Sequence, residues 1–178
     1  MYDPANKVLG KARDSDTNWG MFGFYIYNNI SVAFRTFASG LLLGVGSGFF
    51  LTYNGALIGA VAAHLTNVGF TTTFFTFVVG HGSFELTAIV LAGAAGLKLG
   101  YSLLVPGQLT RLESLKNASH VAIRLVYGVI LMLVIAAFIE AFWSSNNIFA
   151  PWQKYTVGGF LWLVVFAYLL FSGRRRAL

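Results

Sequence analysis

The feature that most constrains this chain is the length of its uncharged, apolar segments. Residues from Val157 to Phe171 include no charged side chain, and the segment from Val121 to Trp143 includes only Arg124 and Glu140. A helix that crosses the hydrocarbon core of a bilayer needs roughly 20 such residues. Over the whole chain 57% of residues are hydrophobic and 10% are charged, whereas soluble domains carry about 25% charge. We therefore predict an all-α, polytopic transmembrane helix bundle with the lipid bilayer as its solvent.

The composition also excludes several classes of function. The chain has no cysteine, which rules out disulfides, thiolate metal sites and cysteine nucleophiles. The net charge of +6 is concentrated in the tail at Arg174–Arg176 and in a loop with Arg111 and Lys116. Cations placed in this way orient a membrane protein, so we predict no nucleic-acid partner. The sequence contains neither a Gly-x-Ser-x-Gly nucleophile motif nor a P-loop lysine motif.

Breaker residues divide the apolar part of the chain into about five crossings. Asn54-Gly55 is typical of a turn, and Pro106-Gly107 predicts the end of a helix. The segment Asn67-Val68-Gly69 falls within the second crossing, which we predict to be broken or re-entrant. The predicted crossings are, in chain order, residues 29–53, 56–80, 83–104, 121–143 and 155–171.

The distribution of cations predicts the orientation. Cytoplasmic segments of membrane proteins are rich in lysine and arginine, so we expect the loop after the third crossing and the tail to be cytoplasmic. We divide the chain into a polar extracytoplasmic arm (1–22), a transmembrane domain (23–173) and a basic cytoplasmic tail (174–178). An outside N-terminus without a signal segment leads us to expect that the chain is the C-terminal part of a longer protein.

Small residues recur at intervals of four in the predicted crossings. Small residues at this spacing let two helices approach closely in a membrane, where lipid provides no hydrophobic drive for association. We interpret the pattern first as packing within the bundle, and we expect Gly96 to contact another helix. A seam between copies of a homo-oligomer is the alternative. The residues are Gly40, Gly44 and Gly48, then Gly55 and Gly59, then Ala92, Gly96 and Gly100.

Several polar and ionisable residues lie in apolar surroundings, where each charge costs about 2.5–3.5 kcal/mol on insertion scales. His81 and Glu85 are four residues apart and share one face if the stretch is helical. From the predicted topology we expect Arg35, His81, Glu85 and Glu140 to converge on a polar pocket in the outer half of the membrane. The full candidate set is Asn28, Asn29, Arg35, His64, His81, Glu85 and Glu140.

Three interpretations of this set stay open. The first is structural pairing, for example of Arg35 with Glu140, or side chains that reach towards the interface. The second is a divalent metal site, for zinc or iron, made by His64, His81, Glu85 and Glu140. The third is a proton or ligand site.

Three segments resemble the stage II sporulation protein M family. They are Tyr25–Ile30, the stretch Gly80–Ile89, which is similar to the family's most distinctive segment, and Ile139–Phe142. The resemblance runs from about residue 22 to residue 143. It implies an integral membrane protein of the bacterial cytoplasmic membrane. The family's namesake works with cell-wall hydrolases during engulfment, as a membrane scaffold. The resemblance transfers no catalytic residue.

We therefore expect a non-enzymatic membrane scaffold or assembly factor linked to remodelling of the bacterial envelope. Its expected partners are envelope or cell-wall proteins, or further copies of the chain. One alternative is a transporter or channel-like protein that uses the outward-facing polar pocket. Another is an intramembrane metal-dependent hydrolase.

Overall fold

A computed structural model of the protein describes residues 15–172, and the long elements in this part of the chain are α-helices. They are α1 (Ser15–Ala38), α2 (Val45–Asn67), α3 (Thr71–Leu104), α4 (Arg111–Phe138) and α5 (Pro151–Phe171). A 3-10 turn at Ser39–Leu41 follows α1, and a π-helical segment at Ile139–Ser144 continues α4. Residues 15–172 form no β-strand, so the predicted all-α fold is confirmed.

Four helices in the described part of the chain are long and apolar enough to cross a membrane. They are α2, α3, α4 together with its π-helical segment, and α5. The polytopic bundle predicted from hydropathy is therefore confirmed. The structure corrects one part of the predicted topology: Arg111 and Lys116, which we expected in a loop, belong to the first turns of α4. The predicted basic tail and residues 1–14 of the predicted arm lie outside the described residues, and residues 15–22 of the arm belong to α1.

The first two predicted crossings had the wrong boundaries, and α3 and α4 begin earlier than the third and fourth predicted crossings. The predicted turn at Asn54-Gly55 is inside α2, where Asn54 Nδ2 donates to the Phe50 carbonyl oxygen at 2.7 Å. Because this bond satisfies the Asn54 amide within the helix, the chain does not have to turn here. A continuous helix is also favoured in lipid, since it satisfies all its backbone polar groups internally. The chain instead bends at Ser39–Gly44 and at Val68–Phe70. The break predicted near Asn67 is confirmed, as is the break at Pro106-Gly107.

Helix α3 forms the centre of the bundle and contacts α1, α2, α4 and α5. Its 34 residues correspond to about 50 Å of helix, more than the roughly 30 Å of a bilayer core. Its inner face is built from small residues, so the neighbouring helices approach its backbone closely. One core cluster comprises Ala33, Ala88, Ala92, Val129 and Leu133, and a second comprises Ala95, Leu99, Ala118 and Ala122.

Glycines make the tightest contacts with α3. A Cβ atom at Gly40 would overlap the backbone of Gly96, and a Cβ at Gly100 would overlap the backbone of Gly44. The prediction that Gly96 contacts another helix is therefore confirmed. Gly44 also has a φ of +85°, after Leu43 at +53°, so the bend between α1 and α2 needs glycine for its backbone conformation as well.

The glycines of α2 are different. A Cβ atom at Gly48, Gly55 or Gly59 would meet no described atom within 4 Å. Within the most apolar 18 residues of each helix, only 6% of α2 is buried inside the bundle, compared with 44% of α3. The prediction that these glycines pack within the bundle is therefore wrong, because α2 contacts α3 through other residues, such as Ser47 and Leu51.

Candidate functional site

Three ionisable side chains meet between α3 and the end of α4. His81, Glu85 and Glu140 each place one nitrogen or oxygen atom so that all three atoms lie within 4.8 Å of one another. His81 Nε2 is 4.0 Å from Glu85 Oε2, as expected for residues four apart on a helix. His81 and Glu140 are buried, and the side chain of Glu85 is 20% exposed. We call these three residues the polar cluster.

The polar cluster lies farther from the start of its helix than we predicted. Because α3 begins at Thr71, His81 is roughly 15 Å along the helix. The prediction had placed His81 and Glu85 at the start of a helix beginning near Ser83. Glu85 is therefore not close to the N-terminus of its helix.

The π-helical segment positions the other half of the cluster. It carries Glu140 and Ser144, both of which are buried. Single π-helical turns are rare and often occur at functional sites, since the wider turn redirects side chains. The segment packs on α3 at Gly80, where a Cβ atom would lie 3.4 Å from Ile139 Cγ2 and 3.8 Å from Ser144 Oγ.

Two contacts fix the orientation of the His81 ring. Its Nδ1 lies 3.1 Å from Ser144 Oγ, and the centre of the ring is 5.1 Å from that of Phe77 in an edge-to-face arrangement. The ring therefore turns Nε2 towards Glu85. Ser144 is held in turn, because Lys154 Nζ donates to its carbonyl oxygen at 2.8 Å.

Asn29 completes the cluster from α1. Its side chain is buried, and its Oδ1 accepts from Asn28 Nδ2 at 3.0 Å. The Asn29 amide also reaches towards the Glu85 carboxylate. Asn29 Nδ2 forms no regular hydrogen bond with the described residues.

The remaining predicted site residues lie elsewhere. Arg35, near the end of α1, is exposed and forms no salt bridge within residues 15–172, so its predicted pairing with Glu140 is absent there. His64 is exposed three residues before the end of α2, and it is not part of the cluster. Asn28 is exposed and contributes through its bond to Asn29.

The sequence did not point to Ser144 and Lys154. Both lay between the fourth and fifth predicted crossings, whereas Ser144 ends the π-helical segment and Lys154 is in the first turns of α5. The one available signal was the spacing of Ser144, four residues after Glu140. A π-helical turn is not visible in hydropathy, so the inward orientation of both side chains was not predictable.

A cavity connects the cluster to the outside of the bundle. It has a volume of about 240 Å³ and lies between α2 and α3. His81 and Glu85 form its polar end, and apolar side chains line the rest. The cavity gives a small ion or molecule a path to the cluster. The apolar lining residues are Leu57, Ile58, Val61, Phe74, Val78 and Leu86.

The chemistry of the cluster is that of an imidazole and two carboxylates. These groups bind divalent transition metals such as zinc or iron, and they also hold and transfer protons. The structure assembles three of the four predicted metal ligands and leaves His64 out.

A sequence model of the family described as stage II sporulation protein M matches residues 2–145. The matched range includes the whole polar cluster and the Asn29 side chain, and it ends just before α5. No curated protein and no solved structure gives a significant match to the chain.

Proposed function

The chain belongs to the stage II sporulation protein M family, and we propose that it is a non-enzymatic membrane scaffold for envelope remodelling. On this proposal it works in the bacterial cytoplasmic membrane and binds the membrane helix of an envelope protein. The scaffold role is consistent with the large share of exposed apolar surface on α2.

The observation that carries the proposal is the open glycine face of α2. Gly55 and Gly59 are four residues apart, and a Cβ atom at either position would meet no described atom within 4 Å. Helices with small residues at this spacing associate through close backbone contact in a membrane. Gly96 and Gly100 on α3 have the same spacing, and there the backbone of neighbouring segments of this chain packs directly against the glycines. The unfilled pair on α2 therefore supports a partner helix at this face.

We expect the double substitution Gly55→Leu with Gly59→Leu to weaken partner binding at least tenfold while leaving the melting temperature of the isolated chain unchanged. The leucines would block close approach of a second helix, but they would meet open space within this chain. Chemical crosslinking of membranes followed by affinity purification measures the partner, and thermal unfolding in detergent measures the chain.

The matched control is Gly128→Leu. Gly128 is on α4, and its Cβ position is also free of described atoms within 4 Å, but no second glycine lies four residues away. This variant should keep both partner binding and stability. Equal partner recovery from the double variant and the wild type would contradict the proposal. A fall in the melting temperature of the double variant would show that the face is packed within the chain.

A further inference from the structure

The polar cluster is not needed for a scaffold that acts through α2, which raises the question of its purpose. Two carboxylates and an imidazole within 4.8 Å are costly to bury in a region of low dielectric constant, because like charges repel there more strongly than in water. No lysine or arginine among residues 15–172 forms a salt bridge with Glu85. A bound cation would offset that cost.

We propose that His81, Glu85 and Glu140 bind one divalent transition-metal ion of the zinc or ferrous class. His81 supplies Nε2, and each glutamate supplies a carboxylate oxygen. Ligand atoms around tetrahedral zinc, at bond lengths of about 2.0–2.1 Å, lie roughly 3.4 Å apart. The cluster, at up to 4.8 Å, needs only small side-chain rotations to close on an ion.

The surroundings of His81 fit a metal ligand. Metal-bound histidines usually donate their second ring N–H to a hydrogen-bond acceptor, which fixes the tautomer and the ring orientation. Ser144 Oγ, 3.1 Å from Nδ1, is in place to accept that bond. Nε2 is then left with its lone pair towards Glu85. Lys154 holds the Ser144 backbone through its bond to the carbonyl oxygen, so the acceptor is itself fixed.

Asn29 gives an independent indication of a ligand. Its side chain is only 3% exposed, and its Nδ2 makes no hydrogen bond of regular geometry with a described residue, although Glu85 is its neighbour. Buried donors without a partner are uncommon, because each costs about 1–3 kcal/mol. A water molecule on the ion, or a Glu85 oxygen drawn into the coordination shell, would accept from this amide.

The cavity between α2 and α3 provides the entry path. Glu85 is the most exposed ligand, and it lies with His81 at the polar end of the cavity. Three protein ligands leave one position for water in a four-coordinate site. The open position would therefore face the cavity. A proton shared between the two glutamates, with no metal, is the alternative that the test must separate.

The experiment uses the full chain in lipid nanodiscs, stripped with a chelator and then equilibrated with Zn²⁺, or with Fe²⁺ under anaerobic conditions. Elemental mass spectrometry after gel filtration gives the metal content. We expect about one ion per wild-type chain and a higher melting temperature in its presence, since an ion that binds only the folded state stabilises it. Co²⁺ should give the absorption bands of a nitrogen- and oxygen-ligated site.

Variants locate the ion. We expect His81→Gln, Glu85→Gln and Glu140→Gln each to weaken metal binding by more than about 100-fold, and Ser144→Ala to weaken it by about 10–100-fold, the usual effect of losing a supporting hydrogen bond. The matched controls, His64→Gln and Glu113→Gln, change exposed residues outside the cluster and should bind as the wild type does.

Two results would overturn the proposal. The first is a wild-type chain that retains no stoichiometric Zn²⁺ or Fe²⁺ and gives no Co²⁺ spectrum, which would favour a shared proton. The second is metal binding that His81→Gln leaves intact or that His64→Gln reduces equally. The wild-type Co²⁺ spectrum decides the question even if a cluster variant fails to fold.

Discussion

Replacing Gly96 with leucine is expected to prevent the bundle from folding. A Cβ atom at this position would overlap Ser47 Oγ and would lie 2.6 Å from the Phe37 carbonyl oxygen and 3.1 Å from the Thr36 carbonyl oxygen. Because two of these atoms belong to the backbone of α1, side-chain rotation cannot relieve the overlap. Overpacking usually costs about 1–3 kcal/mol, and we expect Gly96→Ala to fall in that range. The larger leucine should exceed about 4 kcal/mol.

The measurements are the monodisperse yield in gel filtration and the melting temperature in one detergent. Gly128→Leu is the control, because it adds the same side chain where no described atom lies within 4 Å. A Gly96→Leu chain that folds with the melting temperature of Gly128→Leu would show that α1 does not pack on α3 as described.

The second large effect is expected at Gly158, where α5 crosses α3. A Cβ atom there would lie 2.6 Å from Val79 Cγ2 and 3.0 Å from the Val79 carbonyl carbon. Gly158→Leu should push α5 away from α3 and destabilise the protein by about 3 kcal/mol. The substitution should also withdraw Lys154 from Ser144, because the Lys154–Ser144 bond and the Gly158–Val79 contact both depend on the position of α5. Thermal unfolding and limited proteolysis of α5 measure these changes.

The adjacent residue is an unusually close control. A Cβ atom at Gly159 would meet no described atom within 4 Å, so Gly159→Leu should leave stability nearly unchanged. Val79→Ala removes the nearest overlapping atoms, and combining it with Gly158→Ala should cost less than the sum of the two single changes. Equal losses for Gly158→Leu and Gly159→Leu would contradict the described docking of α5.

Hydropathy was sufficient to predict the class of fold, but not all the helix boundaries. The crossings are long apolar segments, and the break at Pro106-Gly107 has a local chemical cause, so both are readable from the sequence. The Asn54-Gly55 pair misled the prediction because turn preferences come from water-soluble proteins. In α2 the Asn54 amide bonds back to Phe50 instead.

The candidate site was predictable to the extent that it depends on helix periodicity. The spacing of His81 and Glu85 fixes their shared face, and the cost of burying Glu140 predicts that it lies near other polar groups. The position of Arg35 could not be derived in this way, since its exposure depends on where α1 ends. Ser144 enters the site through a π-helical turn, which leaves no mark in the hydropathy pattern.

The glycine pattern shows the same limit. Gly96 and Gly55 belong to similar small-residue motifs. The space beside Gly96 is occupied by α1, whereas no described atom lies close to the Cβ position of Gly55. The motif predicts close approach of some helix, while the choice between a helix of this chain and a helix of a partner depends on tertiary structure. The open face of α2 is therefore a structural finding that the sequence could not provide.

The most direct test of the scaffold proposal is site-specific photocrosslinking in living cells. In one variant a photoreactive residue replaces Ala56, which is exposed beside Gly55 on α2. In a separate control variant it replaces Leu131, which is 63% exposed on α4. The scaffold proposal predicts that the Ala56 probe forms an adduct with an envelope protein, and that Gly59→Leu abolishes this adduct. The Leu131 probe should react with lipid. Adducts of the Ala56 probe with lipid alone, or only with a second copy of this chain, would contradict the proposal.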